Sequence, residues 1–430
     1  MFLDLFFAGL FLAGLYFFGI RKSEKVQTES AYLIADRKIG LFPLTATLVM
    51  TEFNTATLIS FSSLGYLAGK RALSLPLVFL IGLLFYAVSV AKKWKGFDGI
   101  SVASYFSKRY GRDIGIIASI ALFMAMSGFS AVYVKSLLLL FSPFFPSIEP
   151  WVLSGVLVAL VLVMILRGGL LSIIRTDVFS FIVILGFFPL VALFAFKTPL
   201  GTPHEMIDVS SHLPVRFVIS LVVLTMFTYI LAPWYGQKIF AAKSQKTAFL
   251  SVFFAAIIVF VLYGLAVMST WFLRKNGAEV SNPEQAFPMA MMLTLPSGLK
   301  GLGYAILFAA SATTLSGVWS AMCSLAVGDF LKAKNSYKRS MGLTLMFALL
   351  SFVLANVLVD KVLDKLILAN IPIAALSFAL LAGFYWKRTS RFGVYLSMFV
   401  GWVCGIGSYL YFGEAGGYTW YWAMWGIPAT

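Results

Sequence analysis

Stretch after stretch of about twenty apolar residues, separated by short polar gaps, restricts this chain to very few folds, because a bilayer's hydrocarbon core is crossed by roughly 20 helical residues. Such stretches run over 2–20, 41–68, 73–92, 114–142, 150–166, 171–196, 217–235, 247–273, 297–328, 340–359, 364–386 and 392–412. Backbone amides and carbonyls find no water in lipid, so a spanning segment must be a helix or part of a closed barrel. Segments this long are not barrel strands. The sequence therefore predicts an all-α integral membrane protein. Composition agrees, with 12% charged residues against about 25% in soluble domains.

The net charge of +16 suggests an anionic partner, but the basic residues lie in short gaps and never form an arm dense enough for nucleic acid. They are distributed unequally. If the first segment runs outside to inside, the cytoplasmic gaps hold 23 Lys and Arg and the opposite gaps nine, with Lys135 left inside a span. Lys238 is counted here with the inner gap 237–246. The asymmetry satisfies the positive-inside rule and puts both termini outside, in a multi-pass protein of the cell (inner) membrane. The first segment lacks a basic leading region and a small-x-small cleavage site, which favours a retained helix over a signal peptide. Cys323 and Cys404 fall in apolar spans and read as small buried hydrophobes. His204 and His212 fall in one outer loop without partners at metal-ligand spacing. The largest polar gaps, 198–213 and 274–285, are only loop-sized, so 1–430 reads as one transmembrane domain. A small organic solute and the bilayer are the expected partners, with no obligate protein partner and no nucleic acid.

Two carboxylates, Glu52 and Asp177, lie inside otherwise apolar segments. Buried ionisable groups in lipid are costly unless paired or hydrated, and they mark ion or solute pathways. The second segment is interrupted at Thr51-Glu52-Phe53-Asn54-Thr55 and the seventh at Ala232-Pro233-Trp234-Tyr235-Gly236. Helices broken near the midplane, heading two five-helix halves, point to an inverted-repeat secondary transporter. A break frees carbonyl oxygens, and hard cations take oxygen ligands. Thr313, Thr314, Ser316, Ser320 and Ser324 place hydroxyls along the ninth segment, where Ala310, Thr313, Thr314 and Gly317 share one face. That stripe fits either close helix packing or cation binding.

Four stretches carry a resemblance: Tyr32–Arg37 leading into Gly65–Gly69; Gly168-Gly169 followed by Thr176-Asp177-Val178; Gln237–Lys243; and Leu295–Gly301 through Phe308–Ala310 to Asp329-Phe330. In order and spacing they resemble the sodium/solute symporter family. The resemblance implies a LeuT-like five-plus-five inverted repeat, with core repeats at about 41–196 and 217–386, a leading helix and at least one trailing helix. It implies Na+ as the coupled ion, held by the Met50, Phe53 and Ala310 carbonyls and the Thr313 and Thr314 hydroxyls. A second sodium site would use Asp177, Thr313 and Ser316, although Gly317 replaces a frequent hydroxyl. Asp177 is equally open to a structural ion pair with Arg175 or Arg167.

Glu52, beside the main ligands, would attract the cation, and a protonatable carboxylate there also leaves proton coupling open. The apolar run Leu73–Leu80 argues against a hexose, whose hydroxyls would lack partners. Lys135 has three possible roles: meeting Glu52, snorkelling outward, or binding an anionic group of the solute. Solute-side candidates are Asn54, Thr57, Lys135, Tyr229, Trp234 and Tyr235, the last three also fitting an interfacial aromatic belt. The expected function is sodium-coupled import of a small carboxylate or amino acid by alternating access. A proton-coupled carrier and a non-transporting sensor are the rivals.

Overall fold

Helices satisfy their own backbone, and the interest of this fold lies where they stop. The computed structural model describes residues 2–20, 35–99, 101–165, 169–202, 213–327, 337–414 and 417–430. His204, His212 and Arg167 lie outside these ranges. Helix α1 (Phe2–Leu15) precedes α2 (Leu41–Glu52) and α3 (Thr55–Ala68), which form one interrupted span. Then come α4 (Pro76–Tyr86), which runs on to Gly96, the short α5 (Ala103–Tyr110), α6 (Arg112–Phe141), α7 (Pro150–Ile165) and α8 (Gly169–Lys197). The second half opens with another interrupted span, α9 (Val215–Tyr229) and α10 (Pro233–Ala241), followed by α11 (Gln245–Lys275), α12 (Ala286–Thr294) and α13 (Leu299–Leu325). It ends with α14 (Tyr337–Val357), α15 (Val362–Leu368), α16 (Ile371–Ala374) and α17 (Ser377–Tyr385), after which α18 (Arg391–Phe412) and α19 (Tyr418–Tyr421) trail the core.

Among the described residues, seven helices are long and apolar enough to cross a membrane alone. Two bent pairs, α9 with α10 at 51° and 362–374 with α17 at 41°, add two crossings. The shorter apolar helices Phe2–Phe18, Leu41–Glu52 and Pro150–Val163 account for the rest of the dozen expected. The bend at 375–376 has no strong sequence signal, because neither proline nor glycine stands there.

Each break has a local cause. After Glu52, Phe53 leaves the helical region, and Asn54 turns extended to cap α3, its Oδ1 accepting from the Thr57 amide at 2.9 Å. Asparagine is among the best N-caps. At the second break, Pro233 occupies the first turn of α10 and holds Ala232 out of helical geometry. The Ile230 carbonyl freed there accepts from the Trp94 indole at 2.8 Å.

Helix α13 is buried at every residue from Ala309 to Trp319, so the hydroxyls of that stretch face protein rather than lipid. Its N-terminus is capped from α1: Asp4 Oδ1 accepts from the Gly298 and Gly301 amides at 2.8 and 3.1 Å, where the helix dipole favours a carboxylate. The contact needs a glycine, because a Cβ on Gly301 would come within 2.0 Å of the Asp4 carbonyl oxygen. Gly301→Ala is therefore expected to push α1 off α13 and cost about 1–3 kcal/mol, read as a lowered thermal midpoint of the purified protein in detergent. An unchanged midpoint would show that this contact contributes nothing.

Candidate functional site

Two backbone amides are diverted at the first break, and this leaves two carbonyls without their helical donors. Regular helical bonding would give the Met50 carbonyl the amide of Asn54 and the Phe53 carbonyl the amide of Thr57. The Asn54 amide instead donates to Glu52 O at 2.9 Å, and the Thr57 amide donates to Asn54 Oδ1. The Glu52 carbonyl collects further donors, the Asn54 side-chain amide at 3.0 Å and the Tyr263 hydroxyl at 2.5 Å. Of the two, the Met50 carbonyl lies against the middle of α13. Thr314 Oγ1 is 3.5 Å from Met50 O and 2.9 Å from Ala310 O, and Thr313 Oγ1 is 3.1 Å from Ala310 O. Oxygens about 2.4 Å from a shared hard cation and at right angles are about 3.4 Å apart. The separation between Thr314 and Met50 matches that spacing and is long for a hydroxyl hydrogen bond. The Phe53 ring anchors the break, at 4.6 Å from the Phe188 ring and 4.8 Å from that of Tyr263.

Glu52 is fully buried, and neither carboxylate oxygen has a hydrogen-bond partner among the described residues. The Tyr229 hydroxyl faces it without reaching hydrogen-bond geometry, and Tyr86, Tyr133 and Tyr235 lie close enough to sense its charge. The rings of Tyr86 and Tyr235 meet edge to face at 5.0 Å, and their hydroxyls are also unpartnered. These four tyrosines come from α4, α6, α9 and α10. All four approach one carboxylate.

Asp177 has partners that the sequence reading did not name. Its Oδ2 accepts from the Lys238 ammonium at 3.0 Å and from the Thr47 hydroxyl. Lys238 also donates to the Thr47 carbonyl at 3.1 Å and to the Thr51 hydroxyl. An ion pair of Asp177 therefore exists, with Lys238 of α10 as its partner, and Arg167 lies outside the described residues. The hydroxyls of Thr313 and Ser316 are turned onto the carbonyls of their own helix, Ala310 and Ala312. Lys238 itself, counted from sequence with the inner loop, is 2% exposed within α10. A buried lysine between apolar neighbours looks like a loop cation in a hydropathy profile.

The remaining solute-side candidates separate. Asn54 is committed to the break through both ends of its amide, and Thr57 lies in the first turn of α3 beside it. Tyr229 faces Glu52, whereas Trp234 and Tyr235 are buried, which rules out the interfacial belt for those two. Trp234 packs edge-on against Phe129 at 5.0 Å. Lys135 does not meet Glu52: the cation acting on Glu52 is Lys238, and the field of Lys135 reaches Glu284, which binds the Val362 amide at 2.8 Å. Burial pushes the Glu284 carboxyl above its ordinary range, while the Val362 amide and Lys135 draw it back down. A hydroxyl chain that the sequence reading missed joins three helices near the break, Thr55 to Ser136 at 2.9 Å and Ser311 to Thr55 at 3.0 Å. Serines scattered in apolar helices were its only signal.

Paired broken helices, orphaned carbonyls at one break and buried charges beside it define a secondary active transporter, and not an enzyme. The sodium:solute symporter family profile matches residues 32–401, and the chain belongs to that family, with sodium as its coupling ion. No curated protein sequence matches significantly. Among solved structures, a Na+-coupled sialic acid symporter, in a substrate-bound outward-open state described as revealing a novel Na+ site, superposes with a TM-score of 0.79 at 16% identity. The match covers 100% of this chain and 98% of that one. The fold is the LeuT-like five-plus-five inverted repeat with a helix before it and helices after it.

Removing one member of a buried ion pair strands the other charge and costs about 3–5 kcal/mol, whereas replacing both is often near neutral. Asp177→Asn should accordingly lower the thermal midpoint strongly, and Asp177→Asn with Lys238→Met should recover most of the loss. Equal destabilisation by the single and double variants would mean that Lys238 is not stranded.

Proposed function

We propose that this symporter binds sodium between the Met50, Phe53 and Ala310 carbonyls and the Thr313 and Thr314 hydroxyls, and that the solute it imports carries a cationic nitrogen, as an amino acid or amine does. The observation that carries the solute class is the unpartnered Glu52 carboxylate approached by four tyrosines. Aromatic faces and a carboxylate together recognise ammonium groups, and a buried charge left alone is costly. Of the two classes open from sequence, this favours the amino acid. A simple carboxylate loses its support, because Lys135 stands with Glu284 and away from Glu52.

Transport in this reading is alternating access. Sodium fills the space between α2 and α13 and fixes the break, which presents Glu52 and Tyr229 to the arriving solute. The inner half-helices α2 and α10 then part to release both. With both termini outside the cytoplasm of a cell (inner) membrane, each net positive charge carried inward gains about 2.3 kcal/mol per 100 mV. That is about fiftyfold accumulation per charge, before any sodium gradient is counted.

Uptake by proteoliposomes is expected to require an inward sodium gradient. Thr314→Ala should raise the sodium concentration for half-maximal uptake tenfold or more, and Thr314→Ser should leave it within about threefold, because the hydroxyl remains. An unchanged midpoint in Thr314→Ala would remove that residue from the site. In a thermal-shift panel with sodium present, alanine, betaine and choline stand for ammonium-bearing solutes, and acetate and pyruvate for simple carboxylates. Stabilisation should come from the ammonium-bearing group, should vanish in Glu52→Gln and should persist in Lys135→Met. Stabilisation by acetate or pyruvate alone would overturn the solute class.

A further inference from the structure

Four residues form a second oxygen-rich seat below the sodium site. Thr47 and Thr51 come from α2, Asp177 from α8 and Lys238 from α10. Their oxygens, a carboxylate, a backbone carbonyl and a hydroxyl, are the donor set a hard cation takes. The Lys238 ammonium already occupies the centre, with one oxygen for each of its three N–H bonds: Asp177 Oδ2 at 3.0 Å, the Thr47 carbonyl at 3.1 Å and the Thr51 hydroxyl. Lysine and aspartate are both essentially excluded from solvent. One carboxylate is therefore neutralised by one ammonium that cannot diffuse away.

We infer that Lys238 acts as a tethered cation in this seat, so that Asp177 binds no second sodium and the symporter carries one sodium ion per cycle. The inference rests on the sodium reading of the preceding subsection and deepens it to a stoichiometry. A mobile ion entering beside Lys238 would set two positive charges against a single carboxylate in a region that excludes water, where like charges repel strongly. Thr313 and Ser316 donate to carbonyls of their own helix, as Thr314 also does, and among the described residues neither bonds to Asp177. Asp177 Oδ1, by contrast, has no partner among the described residues. Deleting the ammonium would thus leave a carboxylate with a free oxygen, a carbonyl and two hydroxyls around a vacated position of cation size, and sodium is the cation at hand.

Equilibrium binding of radioactive sodium to the purified full chain, without solute, counts the ions directly. The parent is expected to bind one sodium per chain, Lys238→Met two, and Lys238→Met with Asp177→Asn one again. Should Lys238→Met be recovered only as aggregate, Lys238→Ala, which removes the ammonium and leaves its position open, carries the same expectation of two. A parent that binds two ions, or a folded Lys238 variant that binds one, overturns the tethered cation. A parent that binds none contradicts the sodium site at Met50 and Thr314 instead, so the two failures are distinguishable.

Discussion

The structure depends on one constraint: a backbone carbonyl inside a membrane must have a partner. At the first break the chain meets it unevenly. The Glu52 carbonyl accepts from the Asn54 amide, the Asn54 side chain and the Tyr263 hydroxyl, while Met50 and Phe53 lose the donors a continuous helix would supply. Concentrating donors on one carbonyl is what creates demand at the other two. In the proposed site a hard cation would satisfy that demand where α13 brings the Thr314 hydroxyl to 3.5 Å from the Met50 carbonyl. At the second break the problem is solved by protein alone, with the Trp94 indole on the Ile230 carbonyl. The Met50 and Phe53 carbonyls of the first break therefore stay without helical donors, and the second break places Tyr229 and Tyr235 near Glu52.

The buried charges follow the same logic of satisfaction. Asp177 and Lys238 neutralise one another across α8 and α10 and tie both to α2, so the inner half-helix of each interrupted span meets at one ion pair. Opening the inner side must either carry that pair along or break it. Glu52 has no such partner among the described residues, where the Tyr229 hydroxyl faces it and Lys238 acts on it from a distance. A charge left unanswered by the protein is one that a ligand can answer.

Much of this was legible in the sequence, and the boundary of legibility is physical. Period and length gave the helices, and Asn54 and Pro233 marked both principal breaks through their known capping and φ preferences. The oxygens of Met50, Ala310, Thr313 and Thr314 came from the family resemblance, and spacing along α13 alone was ambiguous between packing and binding. Lys238 was misplaced because hydropathy counts a buried lysine at the end of a short helix as part of the adjoining loop. Its partner lies 61 residues away in the chain, and no local pattern reports such a contact. For Lys135 the sequence left three roles open, and its position on α6 puts its charge near Glu284 rather than Glu52.

The central claim is that the freed Met50 and Phe53 carbonyls, together with α13, form the ion site. An experimental structure in sodium, at a resolution that resolves ions, tests it most directly. The expected result is one density peak about 2.4 Å from Met50 O, Ala310 O and the Thr314 hydroxyl, absent when sodium is replaced by choline. A sodium-dependent peak at Asp177, with no density beside Met50, would contradict it.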